Sequence, residues 1–281
     1  MASSRSRLFF LSSIISSSYL YMFVAGDSDS ANTLSLDAIR DSLIRQEDTI
    51  VFCLIERAKF PINSVIYDQQ SSSVGVPGFD GSLLHYIVKE SEILNAKVGR
   101  YASPEENPFF PDGLPPQLFP PHNYPSVLHP AGASININKD IWDFYTKQLL
   151  PLFTTAGDDG NYANTAQCDL QCLQALSRRI HYGKFVAEVK FRDSPEEYSS
   201  AIHAQDGDTL MKLLTFKNVE EMVKRRVEKK AMVFGQEVTL TNVGDSGKYK
   251  IDPSVVSRLY DEWVMPLTKH VQVEYLLRRL D

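Results

Sequence analysis

Cysteine is scarce in this chain of 281 residues, and the few that occur argue against two classes of protein. Three cysteines, Cys53, Cys168 and Cys172, are too few for a disulfide framework. Cys168 and Cys172 stand four residues apart, but no second Cys or His pair accompanies them at zinc-ligand spacing, and the six histidines are scattered. We therefore expect no metal site.

A basic tail is absent, and the formal net charge is -6. A nucleic-acid-binding protein normally presents a basic patch or tail, so we expect no nucleic-acid partner. The chain also lacks a glycine-rich phosphate-binding loop, an alternating pattern typical of strands and any internal repeat. Its hydrophobic content of 43% is sufficient for an ordinary globular core.

The N-terminus differs from the rest of the chain. Arg5 and Arg7 precede an apolar, serine-rich run that ends in Val-Ala-Gly at residue 26, an order typical of a secretory signal peptide. The alternatives are an uncleaved cytosolic form, which the lack of any N-glycosylation acceptor favours, and a plastid transit peptide, for which the run is short and apolar. We predict a targeting segment over 1–26, a linker over 27–33 and one helical domain over 34–281.

Helical periodicity dominates residues 34–281. Ser35 is a candidate N-cap for a first helix over 36–60, which Pro61 should end. Nine of the fifteen prolines fall between residues 104 and 130 and exclude a regular helix there. The sequence thus predicts an all-α, multi-helix bundle. The further helices are predicted over 81–100, 141–152, 167–191, 208–235 and 253–280, the last with a kink at Pro266.

Several charged side chains occupy positions where an apolar face is expected. Arg40 and Glu47 project onto the apolar face of the first helix, where charges are rare unless they are paired or functional. A single buried Arg–Glu pair is the alternative. Arg179 and Lys190 are eleven residues apart, almost three helical turns, with Gly183 between them. Two cations on one stripe, with nothing bulky between them, predict a slot for a ligand with two negative ends.

Three further polar residues, Glu220, Thr268 and Gln272, complete this set. Thr268 and Gln272 are four residues apart on the last predicted helix and so share one flank. The whole set offers cations, hydrogen-bond donors and carboxylates but no nucleophile–base pair. It favours electrostatic catalysis on an anion over hydrolysis or group transfer.

Four segments, 37–48, 103–110, 176–190 and 273–280, resemble the eukaryotic chorismate mutases, most closely the plant cytosolic isoform. The resemblance covers residues 34–281. It implies an all-helical homodimer with one active site inside each subunit's bundle, which rearranges chorismate to prephenate on the way to phenylalanine and tyrosine. It also implies that the reaction needs no cofactor, no metal and no covalent intermediate.

The resemblance implies a role for each candidate cation. Arg40 and Arg179 would bind the two carboxylates of chorismate. Lys190 would reach a carboxylate and the ether oxygen, where negative charge grows as the C–O bond breaks. Thr268 would hold a carboxylate in place. Fixed cations beside the breaking bond favour the transition state.

The resemblance also implies residues that bind the hydroxyl end of the substrate and residues that orient Arg179. Glu220 would accept a hydrogen bond from the substrate hydroxyl, with help from the backbone near Phe216. Glu47, together with Arg226, would orient Arg179. Gly183 is expected to keep the space between Arg179 and Lys190 open.

Two departures from the family pattern change what we expect. Fungal and many plant members carry a glutamate, active only when protonated, where this chain has Gln272. A glutamine amide donates at any pH, so we predict a flat activity profile through neutrality.

The second departure concerns regulation. Members controlled by tryptophan and tyrosine typically have Gly-Ser directly after the residues that match Asn161 and Tyr162. This chain has Ala163 and Asn164 there. A Cβ atom restricts the backbone where an effector would lie, so we predict weak or absent control by either amino acid. Arg100 is the other candidate effector contact, and a solvated arginine at a helix end is its alternative.

Two alternatives stay open. A catalytically silent helical dimer with a binding or regulatory role would keep the fold without the reaction, although the expected cations and Glu220 are all present. A secreted enzyme that acts on chorismate outside its usual compartment would differ in location only.

Overall fold

Helices supply nearly all the regular structure of the computed structural model, which describes residues 34–68, 79–236 and 248–281. An isolated antiparallel bridge between Gln236 and Tyr249 flanks the last gap. The predictions for 1–26 and 27–33 lie outside the described residues. The α-helices are α1 (Leu36–Arg57), α2 (Leu83–Lys97), α3 (Asn138–Phe144), α4 (Leu150–Phe153), α5 (Tyr162–His181), α6 (Gly183–Asp193), α7 (Pro195–His203), α8 (Gly207–Leu214), α9 (Lys217–Gly235), α10 (Pro253–Leu259) and α11 (Met265–Leu277).

The first helix begins where the sequence predicts and ends at Arg57. The Ser35 hydroxyl caps it by accepting the Ala38 N–H at 3.2 Å. The Arg57 side chain is fully buried, donates from Nε to Asp169 Oδ1 at 2.6 Å and also donates to the carbonyl of Phe60. Because a buried charge is tolerated only when it is paired, this contact fastens the end of α1 to α5.

The prediction of a single helix over 167–191 is wrong. α5 already begins at Tyr162, and a break at Tyr182 separates it from α6, so Arg179 and Lys190 lie on two helices instead of one stripe. The segment predicted over 208–235 likewise divides into α8 and α9. α7 was not predicted, although Pro195 followed by two glutamates is a good helix start.

The irregularity predicted at Pro266 takes the form of a π-helical turn, Tyr260–Val264, directly before α11. A second π turn, Tyr145–Leu149, precedes α4, which has Pro151 at its second residue. Proline lacks an N–H and crowds the carbonyl four residues earlier, so a wider turn before it relieves the clash.

Packing brings α5, α6 and α8 against α11, and α1 against α5 and α9. Most of their buried apolar residues form one core, and Ile39 of α1 packs with Phe185 and Val189 of α6 in a smaller second cluster. The proline-rich segment contains no α-helix, as predicted, and is held by Glu92 of α2, whose carboxylate accepts the N–H groups of Phe109 and Phe110 at 2.6 and 2.8 Å. None of the described helices is both long and apolar enough to cross a membrane.

Candidate active site

Three of the predicted site residues meet where α5 packs on α11. Arg179, Thr268 and Gln272 are buried, with 5, 7 and 5% of their surface exposed. Arg179 Nη1 donates to Thr268 Oγ1 at 3.4 Å, and Gln272 Nε2 donates to the Thr268 carbonyl at 3.3 Å. Thr268 Oγ1 in turn donates to the carbonyl of Val264, the last residue of the π turn, at 2.6 Å. This bond fixes the rotamer of the Thr268 side chain.

Two polar atoms of this group have no hydrogen-bond partner among the described residues: Arg179 Nε and Gln272 Oε1. Buried polar groups in folded proteins are almost always paired. An unpaired guanidinium nitrogen beside an unpaired amide oxygen therefore indicates a place for a polar ligand.

Tyr260 is a neighbour of Arg179 that the sequence did not reveal. Its ring centroid lies 5.8 Å from Arg179 Cζ, and its hydroxyl is buried without a well-aligned partner in the described part of the chain. Burial raises the pKa of Tyr260, and the nearby charge of Arg179 opposes that rise. The hydroxyl therefore stays protonated at neutral pH, next to the guanidinium.

Lys190 of α6 lies half-buried, with Nζ 4.5 Å from the ring centroid of Phe216. Burial lowers the pKa of Lys190 to about 8, the charge of Glu197 raises it and the charge of Arg40 lowers it further. The last effect places Arg40 within electrostatic reach of Lys190.

Arg40 is exposed, although it projects onto the apolar face of α1 as the sequence predicts. Its side chain is 61% exposed and pairs with Asp37 one turn earlier, at 3.1 Å. Arg40 shares a stripe with the buried residues Glu47 and Val51, seven and eleven positions further along, so the projection itself holds. The stripe is open to solvent near its N-terminal end, where Arg40 stands.

Glu47 is fully buried, as predicted, and it pairs with Arg226, the residue expected to act with it, and not directly with Arg179 in the described contacts. Arg226 binds both carboxylate oxygens, and Lys230 adds an ion pair at 3.1 Å. The charges of Glu47, Arg226 and Arg179 all act on Tyr260, so Glu47 lies close to Arg179 without a direct contact described between them.

Glu220 is half-buried and lies one turn after Phe216, whose ring is exposed. Its Oε1 accepts a hydrogen bond from Lys269 Nζ at 2.7 Å, and its backbone N–H donates to the Phe216 carbonyl at 3.0 Å. Lys269, which the sequence analysis missed, follows Thr268 on α11. It holds the Glu220 carboxylate in place.

The sequence suggested that Gly183 keeps a slot open between Arg179 and Lys190. The structure shows that it does not. A Cβ atom on Gly183 would lie 2.6 Å from the backbone oxygen of Thr268 and 3.3 Å from Val271 Cγ1. The space beside it is therefore filled by α11, and its lack of a side chain is what allows α6 and α11 to approach.

The predicted effector residues occupy two separate places. Arg100 is only 22% exposed and pairs with Glu106 at 3.0 Å, so it is not the solvated arginine of the alternative. Asn161 precedes α5, and its Oδ1 accepts a hydrogen bond from Asn164 at 2.9 Å, with Ala163 between them. No hydrogen bond or ion pair is described between Arg100 and this turn.

Comparisons with known proteins agree with the resemblance. The model of the family "Chorismate mutase type II" matches residues 161–273. "Chorismate mutase 2" of Petunia hybrida is 67% identical over 91% of this chain and 96% of its own length. "Chorismate mutase 2, cytosolic" of Zea mays is 55% identical over 91% of this chain and all of its own. The crystal structure of AtCM1 with tyrosine bound in its allosteric site superposes with a TM-score of 0.80 at 56% identity, over 91% of this chain and 99% of that one.

Proposed function

Since this chain belongs to the chorismate mutase family, it is an isomerase that converts chorismate to prephenate, and we propose that α5, α6 and α11 enclose the reacting substrate. One observation supports this location above the others. Arg179 is buried, and its Nε lacks a partner beside Thr268 and Gln272. A carboxylate is the group that such a guanidinium binds most strongly, and chorismate carries two.

The reaction explains why the site needs neither a nucleophile nor a base. One C–O bond of chorismate breaks while a C–C bond forms, and every atom stays in the molecule. The protein has to hold the reactive conformer, which removes an entropic barrier, and to stabilise charge on the ether oxygen. We assign the second task to Lys190 Nζ and to Gln272 Nε2, which carries a proton at any pH.

The carboxylates are assigned to Arg179, with Thr268 beside it, and to Arg40. Because Arg40 is exposed and Asp37, on the surface of α1, is its one ion-pair partner among the described residues, it is free to exchange that partner for a substrate carboxylate. A surface pair of this kind contributes little free energy, so the exchange costs little. Glu220, held by Lys269, is assigned to the substrate hydroxyl.

Loss of chorismate absorbance in the presence of the purified protein tests this proposal. Arg179→Ala should lower kcat/KM by about 10²–10³, the effect of removing one preorganised donor. Arg258→Ala removes an exposed arginine that pairs with Glu262 and should leave the rate unchanged. Chorismate left intact by the wild-type protein would favour the silent helical dimer instead.

The homodimer is supported by an exposed apolar surface at the end of α2. Leu94, Val98, Leu118 and Phe119 are each at least 60% exposed, and the Leu118 N–H donates to the Lys97 carbonyl, which places the second pair beside the first. Apolar patches of this kind mark protein interfaces. Sedimentation velocity should show a dimer for the wild type and a monomer for Val98→Asp. Val65→Asp, at another exposed valine, should remain dimeric.

Control by aromatic amino acids is proposed to be weak, although AtCM1 binds tyrosine in an allosteric site. The support is local: Ala163 and Asn164 replace the flexible Gly-Ser, and Arg100 is already engaged by Glu106. We expect micromolar tryptophan to leave the rate within about twofold and the double variant Ala163→Gly, Asn164→Ser to respond more strongly. Several-fold activation of the wild type would overturn this proposal.

A cytosolic location is inferred in place of the predicted secretory entry. The Zea mays relative is named cytosolic, and nothing in the comparisons supports a signal peptide. Fluorescent fusions made with and without residues 1–26 should both stay in the cytosol. Secretion of the longer fusion alone would overturn the inference.

A further inference from the structure

A cavity of about 380 Å³ lies outside the proposed active site. The irregular stretches 101–107 and 124–133 and the start of α6 form its walls. None of the residues assigned to chorismate lines it. Its volume is within the range of small-molecule sites.

Lys184 is the buried cation at this cavity. Only 3% of its surface is exposed, and Nζ donates to Asn107 Oδ1 at 2.9 Å and to the Ile135 carbonyl at 3.4 Å. An ammonium has three N–H donors, so one remains. No ion pair of Lys184 is described, and a buried charge without a counter-charge is unfavourable.

Asn107 adds a second free donor at the same cavity. Its Oδ1 accepts from Lys184, which fixes the orientation of the amide, and its Nδ2 is buried with no partner among the described residues. Two unsatisfied donors, one of them charged, therefore line one wall. Together they match the two oxygens of a carboxylate.

Glu106 is the one carboxylate among the residues that line the described cavity, and it is neutralised. Arg100 pairs with one of its oxygens and Arg178 with the other. The charge around the cavity is therefore net positive, which favours an anionic occupant.

We propose that this cavity binds a small organic carboxylate, with its oxygens on Lys184 and Asn107 and its apolar part against Pro104, Leu128 and Pro130. The apolar wall distinguishes this ligand from a purely inorganic anion. Burial lowers the pKa of Lys184 to about 8, so the ammonium is charged at pH 7. A bound carboxylate would supply the counter-charge that the protein does not.

The test measures binding of 4-fluorobenzoate, a one-ring carboxylate, to the full chain at about pH 7 by fluorine NMR. Arg179→Ala serves as the background, because it removes the buried one of the two arginines assigned to the carboxylates of chorismate. We expect the Arg179→Ala protein to bind 4-fluorobenzoate saturably and not to bind the neutral 4-fluorobenzamide. Adding Lys184→Met should weaken the affinity for 4-fluorobenzoate at least about 30-fold. Lys147→Met, at a lysine 69% exposed, should bind as the background does.

A second variant guards against misfolding of Lys184→Met. Asn107→Ala keeps the ammonium and should weaken binding about tenfold, the effect of one hydrogen bond to a charged group. The proposal is overturned if the Arg179→Ala protein shows no saturable binding, or if a folded Lys184→Met or Asn107→Ala variant binds 4-fluorobenzoate as tightly as the background.

Discussion

Gly183 touches the backbone of Thr268 so closely that a Cβ atom there would lie 2.6 Å from the Thr268 oxygen. Side chains do not tolerate that distance to a backbone atom, so α6 or α11 would have to move. Thr268 is the residue that Arg179 and Gln272 both contact. The glycine on α6 therefore sets the position of the residue around which the site is built.

Gly183→Ala should consequently weaken both the fold and the site. Overpacking of this kind typically costs about 1–3 kcal/mol, and displacement of Thr268 should raise KM. Urea denaturation and steady-state kinetics measure the two effects. Gly207→Ala is the matched control, since its Cβ would meet Val273 Cγ1 at an ordinary 3.5 Å and should leave the kinetics unchanged. Unaltered stability and KM in Gly183→Ala would contradict the role of this contact.

Gln272→Glu should make the activity depend on acid. The side chain is 5% exposed, and burial raises the pKa of a carboxyl group, so the glutamic acid can donate only at low pH. We expect kcat/KM of the variant to fall as the pH rises from about 5 to about 7, while the wild-type rate stays flat over that range. Gln148→Glu, at an exposed glutamine, should keep the wild-type profile. Superimposable profiles for Gln272→Glu and the wild type would show that this amide does not donate to the ether oxygen.

The sequence predicted the parts of this site that depend on local pattern. Ser35 indicated the start of α1, and the polar residues Thr268 and Gln272 stood out at positions where an apolar face was expected. The break at Tyr182 could not be predicted, because a single glycine is tolerated inside many helices. Tyr260 and Lys269 could not be found either, since an aromatic or a lysine on an amphipathic helix looks ordinary until a partner from another helix lies beside it.

Arg226→Ala should destabilise the protein by about 2 kcal/mol, because Glu47 is fully buried and would keep only Lys230 as a counter-charge. It should also lower kcat/KM, since Glu47 and Arg226 lie near Tyr260 and Arg179. The neighbouring Arg225 is 79% exposed and pairs with Glu221 on the surface, so Arg225→Ala should change neither value. Equal unfolding midpoints for the two variants would count against a structural role for the Glu47 cluster.

Lys190 should limit activity at high pH. Burial lowers its pKa to about 8, and only the protonated form can stabilise negative charge on the ether oxygen. Since kcat/KM reports the free enzyme, it should be constant below about pH 7 and fall tenfold per unit above pH 8. A bound dianion favours the charged lysine, so kcat should fall at a higher pH than kcat/KM does.

Two substitutions identify Lys190 as the group that titrates. An arginine stays charged, so whatever activity Lys190→Arg retains should show no fall near pH 8, whereas the exposed control Lys147→Arg should show the wild-type fall. Arg40→Gln removes a like charge that lowers the pKa of Lys190, so the midpoint of its kcat/KM profile should move to higher pH even though its rate is reduced. A fall near pH 8 that persists in Lys190→Arg would assign the titration to a different group.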